Sequence, residues 1–350
     1  MENTPVITKE TKNKIHVDYE GKLTFKEKLM SKLKSSNTWI KVVITIFRFI
    51  LMLGVSYVIL YPFFAQIAGS FMTKEDVIDA TVSLIPKHFT IDTYKYIIVE
   101  NYYLDALWHT TLLSLLCALI QTMIACLIGY GLAKFKFKGN KFIMLAVVIT
   151  MVIPHRSLRL AFDKHFTNFD FLAVQSWNMK GPFELIFGDA LLLSNTVWPL
   201  VILSICGLAF KNGLYIYLMR QFFKGVPDEL EESAYVDGSG VFRTFVQIII
   251  PLSVPMMITI FLFSFSWQWT DEFYTGMFWN DASTFYLMPD VYENIPTSLK
   301  FEKFAGWSVY KEVIEDTAGL LIIAPLIVLY LFCQKYLVQG IERSGLVGSV

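Results

Sequence analysis

The chain has 350 residues, of which 55% are hydrophobic and only 17% charged, with a mean hydropathy of +0.50 and zero formal net charge at pH 7. A soluble protein carries about 25% charged residues, so this composition excludes an ordinary soluble domain and points to a membrane protein. The balanced charge, with no strongly basic stretch, argues against a nucleic-acid partner. Cys117, Cys126, Cys206 and Cys333 each lie inside an apolar run, which reads as small hydrophobes in lipid-spanning helices and not as a disulfide framework or metal site.

From the N-terminus, a polar tail of mixed charge runs from Met1 to Asn37 and lacks the apolar core of a cleavable signal peptide. Within it Leu23, Phe25, Leu29 and Leu33 stand among lysines at roughly helical spacing. That pattern fits an amphipathic helix on an anionic leaflet, and equally a solvated tail. A helix needs about 20 apolar residues to cross a bilayer, and six segments meet or approach that length. They are 49–72, 110–133, 142 to about 162 (charge-free only as far as Pro154), 190 to about 218, 244–267 and 317–333. The expected fold class is an all-α integral membrane protein with six transmembrane helices. Its expected organisation is a cytoplasmic tail over 1–41, a transmembrane domain over 42–338 and a cytoplasmic tail over 339–350.

Basic residues orient the spans. Lys134, Lys136, Lys138 and Lys141 fill the loop after the second span, Arg220, Lys224 and Arg243 follow the fourth, and Lys335 and Arg343 follow the sixth. By the positive-inside rule these loops and both termini face the cytoplasm. The opposite loops are acidic, with Glu75, Asp76, Asp79, Asp92, Glu100 and Asp105 in one and Asp271, Glu272, Asp281, Asp290 and Glu293 in another. His155, Arg156 and Arg159 break the rule on the outer side. Lys211 lies inside the fourth span, where a central lysine costs ~2.5–3.5 kcal/mol. The expectation is that it extends its ammonium to the cytoplasmic interface.

The loop over 219–250, between the fourth and fifth spans, is longer than a connector needs. Pro227 suits a helix start, and Asp228, Glu229, Glu231 and Glu232 place negative charge near the positive end of the helix dipole. Gly238 stops the helix, since glycine turns through positive φ without steric cost. A second helical stretch then runs into Pro251. Read by its charges alone, this acidic helix with Leu230, Ala234 and Tyr235 on one face could be a solvated loop.

Glu232-Ser233-Ala234, then Asp237-Gly238, then Ile248-Ile249-Ile250-Pro251 resembles the cytoplasmic signature of ABC-importer permeases. That signature is Glu-Ala-Ala, three residues, Gly, about nine residues and Ile-x-Leu-Pro, with Ser233 and Ile250 as small departures. Residues 218–223, 267–273 and 334–340, together with Ile85-Pro86, Phe89-Thr90 and Tyr94, resemble the maltose-type carbohydrate permeases. The long tail and the aromatic outer loop over 155–195 depart from that family.

The resemblance implies a permease subunit forming half of a pathway for a sugar or oligosaccharide, or for a non-sugar solute. Implied partners are a homologous second permease, two cytoplasmic ATPase subunits, an extracellular solute-binding protein and membrane lipid. It also implies that the loop is the coupling helix, docking in a groove of the ATPase through Glu231, Glu232, Ser233, Ala234, Asp237, Gly238 and Pro251. Glu232 would be available to a basic residue of that partner, and Ala234 would be small because it enters the groove.

No Gly-x-x-x-x-Gly-Lys-Ser/Thr stretch occurs, so the chain is expected to be no enzyme, to need no cofactor and to borrow ATP hydrolysis from its partners. A secondary transporter would need charges deep in its spans, and only Lys211 and Arg48 come close. A membrane enzyme is disfavoured by the scattered His16, His88, His109, His155 and His165. For the substrate pathway, Trp267, Trp269 and Asp271 stand near the outer end of the fifth span, about 24 Å from Pro251. Tryptophans there are equally ordinary interfacial anchors.

Overall fold

The computed structural model describes residues 36–170, 181–279, 285–302 and 304–343. Two compact units divide the chain, 1–64 and 65–350. The first contributes most of helix α1 (Ser36–Gly69). The amphipathic stretch over 23–33 lies outside the described residues. The expected tail boundary at 41 falls inside α1, which already begins at Ser36.

In the second unit the order of helices is α2 (Lys74–Ile78), α3 (Asp92–Glu100), α4 (Tyr103–Lys134), α5 (Asn140–Val152), α6 (Arg159–Thr167), α7 (Pro182–Phe187) and α8 (Trp198–Ile205). Then come α9 (Asn212–Lys224), α10 (Glu229–Val236), α11 (Val241–Thr244), α12 (Ile250–Trp269), α13 (Phe273–Phe278), α14 (Met288–Glu293), α15 (Thr297–Lys300) and α16 (Trp307–Arg343). The described residues form no strand. Two isolated antiparallel bridges, Met72 with Phe89 and Phe169 with Leu191, pin the loops.

Among the described residues four single helical stretches are long and apolar enough to cross a membrane: 39–69, 103–134, 241–269 and 307–340. They coincide with the first, second, fifth and sixth expected spans. The third differs from the expectation of one continuous helix. It stops at Val152 and resumes past His155, and the two pieces are bent by 95°. Pro154 is the cause, because it lacks an N–H and forces the residue before it out of the helical region. Ile153 sits at φ −66, ψ 121.

The fourth expected span is also interrupted. Helix α8 ends at Ile205, Gly207 turns at φ +72, and α9 begins only after Lys211, itself left-handed at φ 64. Helix α12 is entered through a π-turn over Phe245–Ile249, whose last bond runs from Ile250 N–H to Phe245 O. The wider turn stands where Pro251 would otherwise crowd the preceding turn.

Helix α4 is the centre of packing, in contact with α8, α9 and α12. At its C-terminal end Ala125, Tyr130, Met219, Phe223, Phe245 and Ile260 form one apolar core. Toward the other end Ala106, Ala118, Trp269, Met288 and Ile314 form a second. A third, around Cys117, Phe166, Leu203 and Phe278, lies among α4, α6, α8 and α13. Small residues set the closest crossings. A Cβ on Gly129 would fall 2.6 Å from the Met219 Cβ, and one on Gly340 2.9 Å from the Pro255 carbonyl. This is how helices approach where lipid is as apolar as the protein interior.

Candidate functional site

The loop that the sequence singles out is built from the end of α9 upward. Helix α9 closes at Gly225, Val226 turns inward and is buried, and Pro227 leads into α10. Glu231 and Glu232 both donate their N–H to the Asp228 carbonyl, which starts the helix. At its other end Gly238 takes φ +80 and donates its N–H to Tyr235 O, while Ser239 N–H reaches Ala234 O. These crossed bonds are a Schellman ending, which satisfies two carbonyls that the helix would leave bare. Gly238 therefore ends α10 as expected, and nothing lies within 4 Å of where its Cβ would be.

One residue of α4 holds this helix in place. Lys134 Nζ donates to Val226 O at 2.7 Å and to Asp228 Oδ1 at 2.5 Å, and stands 3.7 Å from Glu231 Oε1. The Lys134 side chain is buried while that of Asp228 is exposed. The hydrogen bond and charge of Lys134 hold the Asp228 carboxyl below its ordinary value. Burial raises that of Glu231, against the pull of Lys134. Beneath the loop, Tyr130 meets the rings of Phe135, Phe223 and Phe245. Arg220 Nε donates to Leu132 O, so α9 is tied to the same end of α4.

Of the residues expected to face a partner, Glu232, Ser233, Asp237, Gly238 and Pro251 are exposed. Glu231 and Ala234 are not. Both are buried within this chain, so inward packing already requires a small side chain at Ala234. The apolar side chains that face outward are Leu230, Tyr235, Val236 and Phe242. Lys134 was missed because its contact with Asp228 spans 94 residues of sequence. Val236 and Phe242 were missed because neither belongs to the motif.

At the other end of α12 the three residues expected along a substrate pathway separate. Trp269 is buried, with its indole N–H on Ile322 O and its ring stacked on Phe265. Asp271 accepts the N–H groups of Tyr274 and Thr275 and so starts α13. Only Trp267 is exposed.

Lys211 does not extend its ammonium toward the loop over 219–250, the side expected to be cytoplasmic. Its ammonium lies 4.9 Å from the Phe210 ring centroid and 5.2 Å from that of Trp267. Thirteen residues of α9, about 20 Å of helix, separate it from Gly225.

The family described as binding-protein-dependent transport system inner membrane component matches residues 121–343. The chain belongs to that family. This transport component is 26% identical over 310 residues to the polygalacturonan/rhamnogalacturonan transport system permease protein YtcP of Bacillus subtilis, covering 87% of this chain and 96% of that one. It is 24% identical over 306 residues to the galactooligosaccharides transport system permease protein GanQ of the same organism, covering 87% and 95%. Among solved structures, a chain of a bacterial ABC transporter involved in the import of the acidic polysaccharide alginate superposes with a TM-score of 0.59 at 17% identity. That likeness covers 86% of this chain and 98% of the other, and shows the fold. The inner membrane component is thus a multi-pass membrane protein of a transport system.

Proposed function

We propose that the chain is a permease subunit of an ATP-driven importer for a sugar or oligosaccharide, forming half of the translocation pathway. The carbohydrate reading is supported by the substrates named for the permease relatives, and the resemblance of residues 267–273 to maltose-type permeases agrees with it. Six crossings follow if the two broken segments each traverse the bilayer. The lysine-rich loops then put the α10 side, and both termini, in the cytoplasm. The complete importer has a second permease, two ATPase subunits and an extracellular binding protein.

The observation that carries this reading is the built form of the loop over 219–250. A two-turn helix is fixed to α4 by Lys134, ended by Gly238, and presents Leu230, Glu232, Tyr235 and Val236 outward. A solvated connector has no need of such anchoring. In this reading α10 is the coupling helix, Glu232 meets a basic residue of the ATPase, and the exposed apolar side chains fill its groove. Trp267 is the aromatic face left to the sugar.

Replacing Gly238 tests the coupling role. Gly238→Val must leave positive φ or bear a strain of about 1–2 kcal/mol, whereas Gly238→Asn tolerates that conformation. The valine variant is expected to insert in the membrane but co-purify poorly with the ATPase or uncouple hydrolysis from uptake, and the asparagine variant to restore both. A valine variant that assembles and transports like the wild type rejects the coupling role.

A further inference from the structure

Lys211 stands where three effects oppose a lysine. Its backbone is left-handed, at φ 64 and ψ 1, a region in which a Cβ is strained. It is the N-cap of the thirteen-residue α9, so its charge adds to the positive end of the helix dipole. In the six-crossing reading above it also lies far along the fourth crossing, where an ammonium is poorly solvated. Among the described residues no carboxylate pairs with the Lys211 ammonium, which faces the rings of Phe210 and Trp267. A glycine at this position would remove all three penalties.

The surroundings are those of a ligand site. The break between α8 and α9 meets the bend between α5 and α6, and together they enclose a cavity of about 110 Å³ lined by Thr150, His155, Gly207, Phe210, Lys211 and Gly213. Broken helices whose N-terminal halves face a cavity are how membrane transporters receive anionic groups. Beyond His155, which is bonded to the Tyr274 hydroxyl, Arg156 and Arg159 line a second cavity of about 370 Å³ with Asp163 and Met277. Neither arginine has an ion pair among the described residues. These cations are the ones that break the positive-inside pattern. Trp267 keeps 48% of its surface open beside Lys211, and an aromatic face next to a cation suits a sugar ring that carries a carboxylate.

We propose that Lys211, framed by Phe210 and Trp267 at the break between α8 and α9, receives the carboxylate of an acidic sugar, so that this permease takes oligosaccharides containing uronic acid units in preference to neutral ones. The inference rests on the sugar-permease reading above. Thr150 and Gly213 keep the cavity narrow, a Cβ on Gly213 lying 2.5 Å from Thr150 Oγ1.

The test is a calorimetric titration of the assembled permease–ATPase complex, without its binding protein, with trigalacturonic acid and with the methyl ester of the same trisaccharide. The acid is expected to bind about tenfold or more tightly than the ester, a preference that added salt weakens. Lys211→Met is expected to bind acid and ester alike, and Lys211→Arg to keep the preference. Equal binding of acid and ester to the wild type overturns the proposal, as does an unchanged preference in Lys211→Met. A carboxylate of the second permease would be the partner instead if Lys211→Met lowered assembly of the complex and spared the preference, which also overturns it. Failure of either trisaccharide to bind to a complex that still couples ATP hydrolysis to its transported solute sinks this inference and leaves the coupling role standing.

Discussion

Lys134, the last residue of α4, is hydrogen-bonded through its ammonium to the carboxylate of Asp228, the N-cap of α10, at 2.5 Å. The same ammonium holds Val226 O and faces Glu231. One charge thus joins the central membrane helix to the segment proposed to meet the ATPase. Movement of α10 under a closing partner has a direct route into α4 through this contact.

Lys134→Met keeps the length of the stem and removes the charge. It leaves Glu231 buried with no cation beside it, and Asp228 with no partner for its carboxylate. We expect the variant to insert normally and its coupled ATP hydrolysis to fall by roughly tenfold, the size of losing a charge-assisted hydrogen bond. The measurement is solute-stimulated hydrolysis by the reconstituted complex. Wild-type coupling in Lys134→Met would remove the lysine from the transmission path.

Two glycines two residues apart in α4 should behave oppositely. Gly129→Ala puts a methyl 2.6 Å from the Met219 Cβ and 3.0 Å from the Arg220 backbone nitrogen, where only a shift of α9 can make room. We expect a loss of about 1–3 kcal/mol, seen as a lower melting temperature in detergent. Gly131 has nothing within 4 Å of its Cβ position, so Gly131→Ala should be neutral or gain up to about 1 kcal/mol from helix propensity. Equal effects of the two substitutions would contradict the close crossing of α4 and α9.

Asp271 gives a pH dependence. Burial raises its carboxyl to about 6, although the backbone N–H groups of Tyr274, Thr275 and Phe273 pull it down. Its folded value lies above its unfolded one. The contribution to stability is therefore fully present below about 4 and is lost as the pH rises through about 6. Asp271→Asn resembles the protonated form and can still accept the N–H groups that start α13. Because part of the carboxylate remains open to solvent, the variant should exceed the wild type by only about 1 kcal/mol at pH 7.5. The two should converge near pH 4. Thermal unfolding in detergent at both pH values decides it, and a wild type that gains on the variant as the pH rises would refute the assignment.

The positions of α1, α4, α12 and α16 were legible in the sequence because a bilayer demands a long uncharged run, and composition over a window reports that directly. The end of α10 at Gly238 was legible too, since positive φ leaves few residues to choose from. Neither broken span could be read in the same way. Hydropathy adds up the residues of a window and is blind to their hydrogen bonds, so Pro154 and the turn from Gly207 to Lys211 vanish into an average. The tertiary structure alone decided which side of each apolar helix faces protein. Lipid and protein interior are equally apolar, so nothing in the local sequence distinguishes Trp269, buried against α16, from the exposed Trp267 two residues earlier. It also decided that Ala234 faces inward, that Lys134 reaches Asp228 across 94 residues, and that Lys211 rests between Phe210 and Trp267. Each of these depends on where distant helices cross, and that is set by their mutual packing.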